Sequence, residues 1–91
     1  MKIKKLEIVR KKIDLIDVQL LNVIGKRTTL VKKIIKIKKS RSEIIDKKRI
    51  KDVLAKIKKH SIQKKIDTNI TNKIWKAMIN SYIEYEKKKL R

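Results

Sequence analysis

Three of the chain's five arginines, Arg10, Arg27 and Arg49, fall with Lys38 into a spacing suited to holding a small dianion. Arginine and lysine together number 29, so lysine supplies most of the positive charge. In a chain this rich in Lys and Ile, compositional drift would replace an arginine whose sole duty was charge. The survivors therefore mark positions that need the guanidinium itself. Its planar fork grips a carboxylate through two parallel hydrogen bonds, which an ammonium cannot do.

Positioning these groups falls to helices. There is no Pro and one Gly in 91 residues, which leaves few places to interrupt a helix, and the patterning for strands is weak. The expected class is all-α, with three helices per chain in the order long, short, long. Leu6, Val9, Ile13, Ile16, Leu20, Val23, Ile24, Leu30, Val31, Ile34 and Ile35 recur at spacings of three and four, the stripe of one amphipathic helix over about Lys4 to Lys38. Lys39-Ser40-Arg41-Ser42 breaks the pattern. Ile50, Val53, Leu54 and Ile57 mark a second helix over about Ile45 to Lys59. Asp67 or Thr68 caps a third, whose stripe runs through Ile70, Ile74, Trp75, Met78, Ile79, Tyr82 and Ile83 to a basic tail at Lys87 to Arg91.

At ~1.5 Å per residue the first helix is ~50 Å long, more than a compact chain of this size can cover. A single domain over residues 1–91, paired into an intertwined homodimer, is the economical way to bury the stripe. Arg27 and Lys38 are eleven residues apart, about three turns, so they point to nearly the same side of helix one and can line one pocket wall. Arg10 lies roughly 25 Å before Arg27 along the axis, too far to share a small ligand with it in the same straight helix. If Arg10 serves a site, that site belongs to the partner chain, and two-fold symmetry then makes two equivalent composite sites.

The formal net charge of +20 raises nucleic acid as a partner. Against it, the lysines are spread over every polar stretch, the three aromatics do not sit among them as stacking platforms, and no recognition-helix or RNA-module pattern occurs. Binding of nucleic acid is not expected, although a field of this sign attracts any anionic ligand. With no Cys, neither a disulfide nor a thiolate metal site is possible. The basic N-terminus Met1-Lys2-Ile3-Lys4-Lys5 is followed by charges every few residues, so no signal segment or membrane span is expected, and a cytoplasmic location is.

Leu6-x-x-x-Arg10-x-x-Ile13-Asp14-x-x-Asp17-x-x-Leu20-Leu21, then Lys26-Arg27, Lys36-x-Lys38 and Asp46-x-x-Arg49, closely resembles the all-helical class of chorismate mutases. Ile74-Trp75-x-x-Met78-Ile79-x-x-Tyr82-Ile83-x-x-Glu86 resembles the C-terminal helix that completes the pocket in that class. The resemblance covers about residues 6 to 87, and the ordered set of basic positions is its specific part. It implies a homodimer entwined through helix one, needing no cofactor or metal, that rearranges chorismate to prephenate in aromatic amino-acid biosynthesis.

Carried over residue by residue, the resemblance gives Arg10 of the partner and Arg27 the two carboxylates of chorismate. Lys38 contacts a carboxylate and the ether oxygen. Arg49, with the backbone near Asp46, supports the ring-hydroxyl end, Tyr82 borders the pocket, and Glu86 stands where the class has a Gln or Glu bonded to the ether oxygen. The reaction is a Claisen rearrangement within one molecule, so the protein need only hold the reactive conformer and stabilise charge building on the breaking C–O bond. Lys38, Glu86 and Arg27 are the expected catalytic groups.

Ile50 departs from the pattern, because many chorismate mutases have there a Glu that binds the ring hydroxyl. An apolar residue at 50, with Tyr82-Ile83, also resembles the isochorismate-pyruvate lyases of the same fold, which release salicylate and pyruvate. Glu86 favours the mutase, since the lyases carry Gln at that position. To donate a hydrogen bond to the ether oxygen Glu86 must hold a proton, whereas a free Glu is ionised at neutral pH.

Other chemistry-bearing residues have plainer expectations. Asp14 and Asp17 are expected to pair with Arg10 and nearby lysines or to steady the dimer. His60 is the only His and has no second ligand at metal spacing, which points to a capping or exposed role. Trp75 is expected in the core, and Gly25, two residues before Arg27, to permit close helix approach. Arg41 and Arg91 receive no role.

Overall fold

The structure is a computed structural model that describes residues 2–38 and 45–90. It contains three helices, α1 (Lys2–Ile37), α2 (Lys47–Gln63) and α3 (Thr68–Lys89), and no strand among the described residues. The predicted all-helical class and the order long, short, long are observed. The break at Lys39-Ser40-Arg41-Ser42 lies outside the described residues, as does Arg91. No described helix is long and apolar enough to cross a membrane.

The chain divides into two compact units, Met1–Ile34 and Ile35–Arg91. The first is the body of α1. Its 36-residue helix begins two residues earlier than the apolar pattern predicts, because Lys and Ile before Leu6 continue a helix readily. The stripe positions Leu6, Val9, Ile13, Ile16 and Leu20 are all exposed. Val31 is the only buried apolar side chain among the described residues.

The second unit holds the last turn of α1, then α2 and α3, which pack against each other. α2 starts at Lys47 because Asp46 is its N-cap: extended backbone (φ −105°, ψ 94°) lets Asp46 Oδ1 accept from the Arg49 amide at 3.0 Å. It runs four residues past the expected end at Lys59. The chain has no Gly or Pro there, and the helix stops only where Lys65 enters the left-handed region at φ 58°. The Lys64 amide then bonds to His60 O, and the Ile66 amide reaches back to Ser61 O at 2.9 Å, satisfying the last carbonyls.

Asp67 caps α3 as expected, with Oδ1 accepting from the Asn69 amide at 2.8 Å. A hydroxyl pair pins the two helices together. Ser61 Oγ and Thr71 Oγ1 are 2.8 Å apart and both residues are buried. Ser61 Oγ also donates to Ile57 O at 2.6 Å and Thr71 Oγ1 lies 3.4 Å from Thr68 O, so each hydroxyl is tied to its own helix as well as to the other. At the other end, Lys87, Lys88 and Lys89 occupy the last turn of α3, where cations favour the helix dipole, and Lys89 Nζ sits 5.5 Å above the Tyr85 ring.

Candidate active site

One side-chain contact joins two of the expected site residues, 48 positions apart. Lys38, directly after α1, donates from Nζ to Glu86 Oε2 at 3.1 Å. Their side chains are 20% and 10% exposed, so the pair is largely withdrawn from water. α1 delivers Lys38 by ending at Ile37, and α3 delivers Glu86 from its last turn. A half-buried lysine on a carboxylate is a place where a ligand's negative oxygen can replace the protein's own, since the ammonium has three donors to distribute.

The other residues singled out by sequence lie as follows. Arg49 is exposed in the first turn of α2, where its backbone amide is taken by Asp46; Ile50, next to it, is half-buried. Tyr82 is half-buried on α3, one turn before Glu86, and Trp75, expected in the core, is half-buried on the same helix. Arg27 is half-buried and Arg10 exposed, both on α1 within the first unit. The described geometry thus pairs Lys38 with Glu86 directly and sets Asp46, Arg49 and Ile50 together at one helix start.

Within one chain the plainer expectations fare differently. Asp14 and Asp17 form no ion pair among the described residues, so the expected pairing with Arg10 is not made within one chain and the other expected role, at the dimer, is left. Gly25 has no atom within 4 Å of where a Cβ would stand, so it allows no close approach inside the chain. His60 is exposed in the last turn of α2, in line with the expected capping or exposed role, and its carbonyl accepts from the Lys64 amide.

A hollow of about 350 Å³ lies between α2 and α3, lined by residues including Leu54, Ile57, Lys58, Asn69, Thr71 and Asn72. None of the residues expected to bind substrate lines it. Among its lining residues Lys58 is the single cation, whereas a dianion calls for several convergent donors, so chemistry favours the Lys38–Glu86 region over this hollow. Sequence reasoning did not anticipate Ser61 and Thr71, whose signal is their place four and three residues from apolar stripe positions.

Comparison with curated proteins finds no match, and neither does comparison with solved structures. The model of one protein family, chorismate mutase type II, matches residues 9–87. The match spans Arg10, Arg27, Lys38, Arg49 and Glu86 and all but the ends of the described helices. The chain belongs to the chorismate mutase type II family.

Proposed function

We propose that this chain, as one domain, forms an intertwined homodimer that rearranges chorismate to prephenate in the cytoplasm, within aromatic amino-acid biosynthesis. The observation that carries the proposal is the Lys38–Glu86 contact, placed mostly out of water in a chain of this family. Lys38 stabilises the negative charge that develops on the ether oxygen, and Glu86, once protonated, donates to the same oxygen. Arg27 and the partner's Arg10 bind the two carboxylates. Arg49, Asp46 and Tyr82 frame the hydroxyl end of the ring.

The dimer is supported by how few apolar side chains are buried among the described residues of one chain. Hydrophobic residues make up 41% of the sequence, yet Val31 is the only apolar side chain buried among those described. A second copy can cover what one chain leaves wet.

Ile50 supports a second substrate. A half-buried apolar side chain beside Arg49 offers no acceptor for a ring hydroxyl, which suits lyase action on isochorismate as the alternative. Incubating the purified protein with chorismate and separately with isochorismate, and identifying the products, decides between them. Prephenate from chorismate is expected, and Lys38→Ala is expected to lower kcat about 100- to 1,000-fold. Salicylate and pyruvate from isochorismate alone would select the lyase; no turnover of either compound would sink the enzyme proposal.

A further inference from the structure

We infer that the hollow of about 350 Å³ between α2 and α3 binds a small monocarboxylate with an aliphatic body, at a site separate from the Lys38–Glu86 pair. Its volume falls at the lower end of the range for small-molecule sites, which suits one small ligand. α2 supplies an apolar wall, Leu54, Ala55 and Ile57, and one cation, Lys58. Leu54 and Ile57 are half-buried and Ala55 is exposed, so the wall keeps apolar surface that a ligand can cover. No aromatic residue lines the hollow, so an aliphatic body matches the wall better than a ring that needs a stacking face.

Charge and donors choose the head group. No carboxylate is among the lining residues. Asp67, just before α3, accepts from the Asn69 amide through its side chain and from the Ile70 and Thr71 amides through its carbonyl. The start of α3 is therefore capped within the chain, and its backbone does not supply an anion site. Side chains carry the site instead. Lys58 forms no ion pair among the described residues, and the side chains of Asn69 and Asn72 make no hydrogen bond there.

These three groups are exposed, whereas Leu54 and Ile57 are half-buried, so the donors stand at the mouth and the hydrocarbon lies deeper. A carboxylate at the mouth meets an ammonium and two carboxamides while keeping part of its hydration, which limits the cost of desolvation. A dianion would leave its second charge without a partner. An inorganic anion would use the mouth and leave the wall wet. Nothing in this site depends on the reaction proposed above, although the two share α2: Leu54 follows Ile50 by about one turn.

NMR of the full chain titrated with isocaproate tests the site. Saturable shifts centred on Leu54, Lys58, Asn69 and Asn72 are expected, with a dissociation constant of about 1 mM. A formal charge of +20 draws any anion, so controls must separate that field from the hollow. Acetate has the charge without the body and isohexyl alcohol the body without the charge; each is expected to bind at least ~10-fold more weakly. Lys58→Gln is expected to weaken isocaproate by ~10-fold or more, and Lys56→Gln, which removes a lysine outside the hollow, to leave it unchanged. Ala55→Leu fills the hollow from an exposed helical position that accepts Leu readily, and is expected to abolish binding with the fold intact. Equal effects of the two lysine variants, acetate binding as tightly as isocaproate, unchanged binding by Ala55→Leu, or shifts centred on Lys38 and Glu86 each overturn the site. So does the absence of saturation by about 20 mM, the result expected if a second copy of the chain covers the hollow.

Discussion

Glu86 meets Lys38 as a carboxylate that accepts from an ammonium at 3.1 Å, yet the proposed reaction asks it to donate. In the proposed site the dianionic substrate takes Lys38 from Glu86, both groups face the ether oxygen, and Glu86 must hold a proton to donate to it. The protonated form is the donor, so a side chain that carries a permanent N–H in its place is expected to keep or raise kcat/KM. Glu86→Gln carries a permanent N–H donor and keeps an oxygen to accept from Lys38, so the largely buried lysine is not orphaned and the fold is retained. kcat/KM of Glu86→Gln, measured beside the wild type, is expected to be equal or higher, whereas Glu86→Ala, which has no donor, is expected to lose about 100-fold or more. An equal loss in both variants would remove Glu86 as a donor to the ether oxygen.

Lys65 shows how an element can end without a residue type that announces it. At φ 58° it occupies the conformation that Gly adopts freely and a side chain resists, so Lys65→Gly is expected to stabilise the protein by about 0.5 to 1 kcal/mol. Lys64→Gly, at φ −92°, gains no such relief and is expected to destabilise. Urea unfolding reads the difference as a shift of midpoint at constant slope, and a lowered midpoint for Lys65→Gly would contradict the account. The same turn marks the limit of what sequence made legible. Asp67 was readable as a cap because an Asp before Thr and a fresh apolar stripe is a helix-start pattern. Asp46 was less so, because Arg49 stands where a capping box would have Glu or Gln. The end of α2 was misplaced by four residues because neither Gly nor Pro marks it. Ser61 and Thr71 hold positions that apolar periodicity assigns to hydrocarbon, and their mutual hydrogen bond is visible only once two helices face each other. Lys38 and Glu86 could be named from the family's pattern, but their contact depends on where α1 ends relative to α3, which no spacing along one helix encodes.

For the molecule as a whole, the decisive question is whether one chain makes a site alone. Arg10 is exposed on α1 and Arg27 half-buried seventeen residues later, about 25 Å along the helix, so one ligand of ordinary size cannot bridge them within a continuous α1. If both carboxylates of the substrate are held by arginine, one arginine comes from each chain. Complementation tests this directly. Arg10→Ala and Arg27→Ala homodimers are each expected to lose most activity, because every site in either dimer lacks one guanidinium. After subunit exchange, a heterodimer concentrates both substitutions in one site and leaves the other intact. Random mixing makes half of the dimers mixed, so about a quarter of the wild-type activity is expected to return. A double Arg10→Ala, Arg27→Ala chain mixed with the wild type provides the converse control: its heterodimers carry one substitution in each site, so dilution should depress activity further than the simple loss of wild-type chains. If exchange is verified by mass and no activity returns, Arg10 and Arg27 serve the same site from the same chain, or Arg10 serves none.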